Sequence, residues 1–293
     1  MRMRVLLLEA DNLLGQAVLR LAAKESIQLE VAKCPEQGWT PDIAAQLIAE
    51  IQPDLVINLA FYHQQFQLGI EDPIQLAAQK EFAEQLAEQC AVSDVALLML
   101  SSARVFDGKK NSAYTEKDQQ TPLGVLGQLH ASLEETVRSR CANHVILRFS
   151  WLLDSSDDGV FQQLVNELKR TSTPELAEEW RGNPTPIDDA ARIILSVIKQ
   201  LDCAAPLYGT YHYGSSEATT WIGFVQGVVQ ELLGRGELQG DIAIQPVAFD
   251  KLPACRWQPQ NSALQGRKLL LVFGIKPRAW RSQLPALLDT LSL

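Results

Sequence analysis

The chain has 293 residues, enough for two domains or one large one. Lys and Arg number 26 against 35 Asp and Glu, a formal charge of −9, with 46% apolar and 21% charged residues. Those values exclude a disordered chain, a collagen-like repeat and a small disulfide scaffold, and the acidic balance argues against nucleic acid as a general partner. The five cysteines, Cys34, Cys90, Cys141, Cys203 and Cys255, are odd in number, far apart and form no CxxC. Neither a metal site nor a disulfide ladder is expected, and reduced thiols in a cytoplasmic protein are the plain reading. The apolar run near the N-terminus is too short for a signal peptide, and no stretch is long enough to span a membrane.

The first half alternates strand-like and helix-like segments. Residues 4–9 (RVLLLE) form a short apolar run suited to a strand buried on both faces. Residues 12–24 then carry Leu14, Val18, Leu21 and Ala22 at helical spacing, with Asp11 or Asn12 as the cap. Strands are expected at 27–32, 54–60, 94–102 and 144–150, and helices at 40–51, 73–90 and 122–140. In the second half, helices are expected at 159–170, 188–201 and 217–233, and short strands at 209–214 and 242–247. Two helical segments, around 262–273 and 278–291, close the chain.

This alternation implies an α/β fold of Rossmann type, a doubly wound parallel sheet covered on both faces, followed by a smaller C-terminal lobe. The expected division is 1–150 for the nucleotide-binding-like domain and 151–293 for the substrate-binding-like lobe, with about 186–214 returning to the sheet. Ligands of such folds bind at the carboxyl ends of the strands. The segments of interest are therefore 9–15, 32–38, 58–66, 101–108 and 149–154.

The first of these segments reads Glu9-Ala10-Asp11-Asn12-Leu13-Leu14-Gly15. A dinucleotide fold has glycines here, so that the backbone can approach a pyrophosphate and the helix N-terminus can bind it. Only Gly15 remains, and two carboxylates stand where the phosphates would come. One reading is an altered nucleotide site. The other is a helix cap and a tight helix–strand contact with nothing bound.

Several segments together carry a resemblance. Asn58-Leu59-Ala60 is similar to an Asn-Ala-Ala strand end, and residues 101–108 (SSARVFDG) to Ser-Thr-Asp-Tyr-Val-Phe-x-Gly. Residues 114–118 (YTEKD), 122–127 (PLGVLG), 147–151 (LRFSW), 182–185 (GNPT) and 209–212 (GTYH) continue the match. The chain resembles the dTDP-4-dehydrorhamnose reductases (RmlD-like), within the extended short-chain dehydrogenase/reductases, over nearly its whole length. The resemblance implies NADP or NAD at Asn12, Leu13, Gly15, Asn58 and Ala60, with Lys33 placed to attract a 2′-phosphate. It implies a sugar nucleotide near Arg104, Trp151, Trp180 and Arg181, and a substrate-carbonyl hydroxyl at Ser102.

The family's proton-donating Tyr, and the Lys four residues later, fall at Leu126 and His130. That spacing keeps both groups on one helix face. Leu126 has no proton to give. His130 can titrate near neutrality but sits one turn, roughly 5 Å, from the donor position. Its other reading is a packing residue. Ser102 can equally satisfy a local backbone group, and both tryptophans can be core. The segment 62–66 (YHQQF) either lines a pocket or plugs a disused one.

Three functions follow as expectations. The first is a protein that has lost reductase activity and acts as a ligand-binding or regulatory protein, with a small nucleotide, a protein partner or a second copy as its partner. The second is an active NADP-dependent sugar-nucleotide reductase with a relocated acid, His130 or Tyr62. The third is a structural interaction protein with a plugged site.

Overall fold

The structure, a computed structural model, describes residues 3–66, 73–157, 159–203, 207–252, 255 and 258–291, so the outermost residues of both expected domain ranges lie outside it. In chain order the first elements are β1 (Val5–Leu8), α1 (Leu13–Lys24), β2 (Glu30–Ala32), α2 (Pro41–Ile51), β3 (Leu55–Asn58), α3 (Tyr62–Phe66) and α4 (Pro73–Val92). Next come β4 (Ala96–Ser102), α5 (Val125–Arg140), β5 (His144–Phe149), β6 (Leu152–Leu153), α6 (Val160–Arg170), β7 (Glu175–Ala177), β8 (Arg181–Gly182) and β9 (Thr185–Pro186). The last are α7 (Ile187–Cys203), β10 (Gly209–Tyr213), β11 (Thr219–Thr220), α8 (Trp221–Gly234), β12 (Gln245–Val247), α9 (Arg267–Phe273) and α10 (Trp280–Leu288).

Six strands form one parallel sheet in the order β10-β5-β4-β3-β1-β2. The chain moves outward from β1 to β2, then back across to β3 and onward, so the order reverses between β1 and β3. Alternate residues of each strand face opposite sides. Leu7, Ile57 and Leu98 pack with Leu14 and Val18 of α1 and Ile194 and Ile198 of α7. Leu6, Val56 and Leu97 pack with Ile48 of α2, Phe82 and Leu86 of α4 and Leu133 and Val137 of α5. Each fully buried Leu or Ile contributes about 1.5–3 kcal/mol, which is why apolar runs without polar alternation become central strands.

A second apolar cluster forms after β5. Phe161, Leu164, Val165 and Leu168 make the inner stripe of α6, facing Trp221, Phe224, Val225 and Val228 of α8 and Trp280 of α10. Three two-stranded pairs frame it: β6 with β9, β7 with β12 and β8 with β11.

Some boundaries differ from the sequence expectations for local reasons. The helix expected over 217–233 starts at Trp221, because Thr219 and Thr220 pair with β8 and the Thr220 hydroxyl accepts the Gly223 N–H at 3.0 Å. The helix expected from 262 starts at Arg267. Ahead of it, the amides of Ser262, Leu264 and Gln265 donate to the Arg181 carbonyl, Asn183 Oδ1 and the Tyr114 carbonyl. Asn12, rather than Asp11, caps α1, accepting the Gly15 N–H at 2.7 Å. The helix expected from 188 starts at Ile187, so Asp188 and Asp189 lie in the first turn of α7.

Candidate functional site

The carboxyl ends of β1 and β3 flank the point where strand order reverses, the place where open α/β sheets bind ligands. Here the crevice is crossed by side chains of its own walls. Glu9 has a left-handed backbone, φ 55°, as befits a glycine position. Its Oε2 accepts the Phe61 N–H at 2.6 Å and the Trp39 Nε1–H at 2.9 Å. Asn12 Nδ2 donates to the Leu59 carbonyl at 3.3 Å, and Asp11 Oδ1 accepts the Cys34 N–H at 3.1 Å. The turn after β1 is therefore tied to the segments after both neighbouring strands. Burial pushes the Glu9 carboxyl above its usual range, against the bonds from Phe61 and Trp39. Burial, with Glu9 and Asp11 nearby, also raises the Cys34 thiol.

The other residues expected at a cofactor are placed as follows. A Cβ on Gly15 would stand 2.7 Å from the Glu9 carbonyl, so this glycine permits the close approach of α1 to the turn. Asn58 Oδ1 accepts the Ala60 N–H at 3.0 Å and shapes the strand end, while Ala60 is buried. Leu13 is partly exposed at the start of α1, and Lys33 is exposed just past β2.

The ends of β4 and β5 open onto a cavity of about 70 Å³. Its walls include Phe66, Ser102, Arg104, Trp151, Trp180 and Trp221. The three indoles lie edge-on or tilted, with centroids 4.9–5.3 Å apart. Trp180 is both core and wall, and Trp151 is half-buried against Gly182. The Trp151 Nε1–H has no partner among the described residues. Ser102 Oγ accepts the Arg104 N–H at 3.3 Å, the local bond foreseen for it, while also lining the cavity. Arg181 is exposed and is not among the residues lining this cavity.

Behind the cavity, α3 holds the key contacts. Its Gln65 carbonyl accepts Arg104 NH1 at 3.1 Å and faces His130 Nε2 at 3.2 Å. A ring nitrogen facing a carbonyl oxygen carries the proton, so Nδ1 is the bare acceptor, and it has no partner among the described residues. Phe66 lies over His130 with centroids 5.4 Å apart. Burial, reinforced by Arg104, lowers the His130 imidazole to about 4, and burial lowers Arg104 to about 10. Leu126 stands one turn earlier on α5 and is half-buried. Tyr62 donates to Asp154 Oδ2 at 3.4 Å, and burial together with that carboxylate raises its phenol well above the usual value.

Sequence reasoning did not single out the charged group beneath α5. Glu134 is fully buried and accepts from Arg148 Nε at 2.7 Å, Arg138 NH1 at 2.9 Å and the Ser101 hydroxyl. Arg148 NH1 meets His212 Nε2 at 3.1 Å. Burial works to raise the Glu134 carboxyl, but the bonds and charge of Arg148 outweigh it and hold it low. The i, i+4 spacing of Glu134 and Arg138 is the local signal that could have found it. The Glu9–Phe61 bond and the role of Gln65 had no sequence signal, because they join segments far apart in the chain.

A wider cleft of about 620 Å³ lies between α1, α7 and α10, with Arg20, Asp188, Arg278 and Gln283 on its walls. Arg20 and Asp188 pair there at 2.6 Å. Among the described residues no group of His, Cys, Asp or Glu could hold a metal ion, and no helix is long and apolar enough to cross a membrane.

The sheet order and the strand-end site define a Rossmann-type scaffold of the kind used by sugar-nucleotide reductases. The chain belongs to the family described as the RmlD substrate binding domain, whose profile matches residues 3–293. A dTDP-4-dehydrorhamnose reductase of Sinorhizobium fredii is 26% identical over 276 residues, 91% of each chain. One of Aggregatibacter actinomycetemcomitans is 24% identical over 286 residues, 96% of this chain and 97% of that one. Among solved structures, the dTDP-4-dehydrorhamnose reductase of Clostridium acetobutylicum has a TM-score of 0.82 at 22% identity, covering 98% of this chain and 99% of that chain. That of Bacillus anthracis, solved with NADP, has a TM-score of 0.79 at 19% identity and covers 99% of both. At those identities the structures establish a shared fold.

Proposed function

We propose that this chain is a member of its family that binds a ligand without transferring hydride. The observation that carries the reading is the state of His130. It stands where the family resemblance places the lysine, yet it is buried, neutral at physiological pH and faces the Gln65 carbonyl. General acid catalysis needs a mobile proton within reach of the reacting oxygen. Leu126 has none, and Tyr62 is a phenol made less acidic by burial beside Asp154. The residues after β1 also do not fit the diphosphate of a nicotinamide cofactor, because the Glu9 carboxylate crosses the crevice.

The binding surface in this reading is the aromatic cavity. Indole faces pack on sugar rings and bases, while Ser102 and Arg104 supply polar contacts. Its volume of about 70 Å³ is below the roughly 150 Å³ that admits benzene. A sugar ring or base therefore lies across the open mouth against the indoles, with only its substituents reaching inside.

Two readouts on the purified protein test this. Titration with dTDP and dTDP-sugars is expected to change the fluorescence of the Trp151, Trp180 and Trp221 cluster. NADPH mixed with a dTDP-4-dehydro sugar is expected to be oxidised no faster than without protein. Protein-dependent turnover overturns the reading.

A further inference from the structure

We propose that Glu9 is the residue that decides what the β1–β3 crevice accepts, acting as an internal anion seated where the fold would receive a ligand's phosphates. Three observations meet at this side chain. The first is position: Glu9 immediately follows β1, and its carboxylate reaches the first residues after β3, across the reversal of strand order. The second is chemistry. A carboxylate held by a backbone N–H and an indole N–H makes the contacts an anionic ligand would make, from an atom of the chain itself. The third is backbone. Glu9 and Phe61, the two residues so joined, both have left-handed conformations, φ 55° and 65°. Side chains disfavour that region, so the closure is held against local strain.

The walls agree with a closed crevice. The Trp39 and Phe61 rings both pack on the buried Phe82, with centroids 5.5 and 5.6 Å away, so the partners of Glu9 are tied to the core. Asn12 makes a second tie across the same gap. Asp11 adds a further negative charge at the turn, and a diphosphate arriving there meets two carboxylates and loses free energy to both. Glu9 is thus a specificity-determining residue, selecting against phosphorylated ligands at the crevice and leaving the aromatic cavity as the site in use. This deepens the functional reading above and rests on it for that last step.

The experiment compares the wild-type chain with Glu9→Gly/Asn12→Gly and with Glu9→Gln. Glycine suits the left-handed backbone at position 9 and is tolerated as a helix cap at position 12, so the double variant is expected to fold. Matching circular dichroism and a cooperative melt confirm that it does. The probes are NADPH, read by energy transfer from tryptophan to the nicotinamide, and ADP, read by calorimetry. The double variant is expected to bind both at least about tenfold more tightly than wild type, a change of about 1.4 kcal/mol. Glu9→Gln, which keeps the bridge and removes the charge, is expected to fall between. Equal binding by wild type and a folded double variant overturns the proposal. The failure of the broader reading looks different: protein-dependent NADPH oxidation by the wild-type chain overturns that reading whatever the variants bind.

Discussion

At the scale of single residues, the buried polar groups make the protein acid-sensitive in a defined direction. Unfolded, His130 and His212 titrate near 6.5; the fold holds them at about 4 and about 3, chiefly through burial, with Arg104 and Arg148 adding to it. Between those values the unfolded chain binds more protons than the folded one. Stability is therefore full above pH about 6.5 and falls as pH drops toward 4, by at most about 1.4 kcal/mol per pH unit for each imidazole. Glu134 has the opposite charge type but the same sign of effect. Its folded carboxyl lies below the usual 4.5, so its contribution is present above that value and lost as pH falls further. Thermal melts between pH 8 and 4 are expected to show the decline, and His212→Asn to flatten it. A wild-type melting temperature that stays level to pH 4 contradicts the assignment.

The ion pair beneath α5 gives a second residue-scale prediction. Arg148→Met leaves Glu134 buried with its closest cationic partner gone, which costs about 3–5 kcal/mol. Glu134→Leu combined with Arg148→Met removes both charges and is expected to cost less than the single change. Urea unfolding of the two variants measures the difference, and a double variant less stable than the single one contradicts it.

At the scale of elements, close approaches set the site. Gly15→Ala puts a Cβ within 2.7–2.9 Å of the Glu9 carbonyl and the Ala10 backbone, so α1 must move away from the turn. The expected loss is about 1–3 kcal/mol by urea unfolding, and an unchanged midpoint shows that the contact relaxes freely. The central elements were legible because their signals are local. Leu6, Leu7 and Leu8 have no polar alternation and form a strand covered on both faces, and Phe82, Leu86 and Cys90 recur at helical spacing and face the core of α4. The elements misplaced in the sequence are those that tertiary contacts define. Thr219 and Thr220 continue a helical pattern in sequence but pair with β8, and α3 is a single turn fixed by Gln65 and Phe66 against α5.

At the scale of the molecule, the motifs that carry the family resemblance fall at the strand ends of a doubly wound sheet, where the candidate site lies. The resemblance named Leu126 and His130 as departures, and it named the loss of glycines after β1. It did not reveal what stands in their place. That Glu9 reaches Phe61, and that Gln65 offers its carbonyl to both Arg104 and His130, depends on segments 39–65 residues apart folding together. The outcome is a doubly wound scaffold with Leu126 on α5 where the resemblance expects a tyrosine, and with the Glu9 side chain bonded across the crevice.

The most direct measurement is a calorimetric titration of the folded wild-type protein with NADPH and NADH. The expected result is no saturable heat for either cofactor. One-to-one binding with a dissociation constant in the micromolar range would show that the crevice opens to a dinucleotide, and would contradict it.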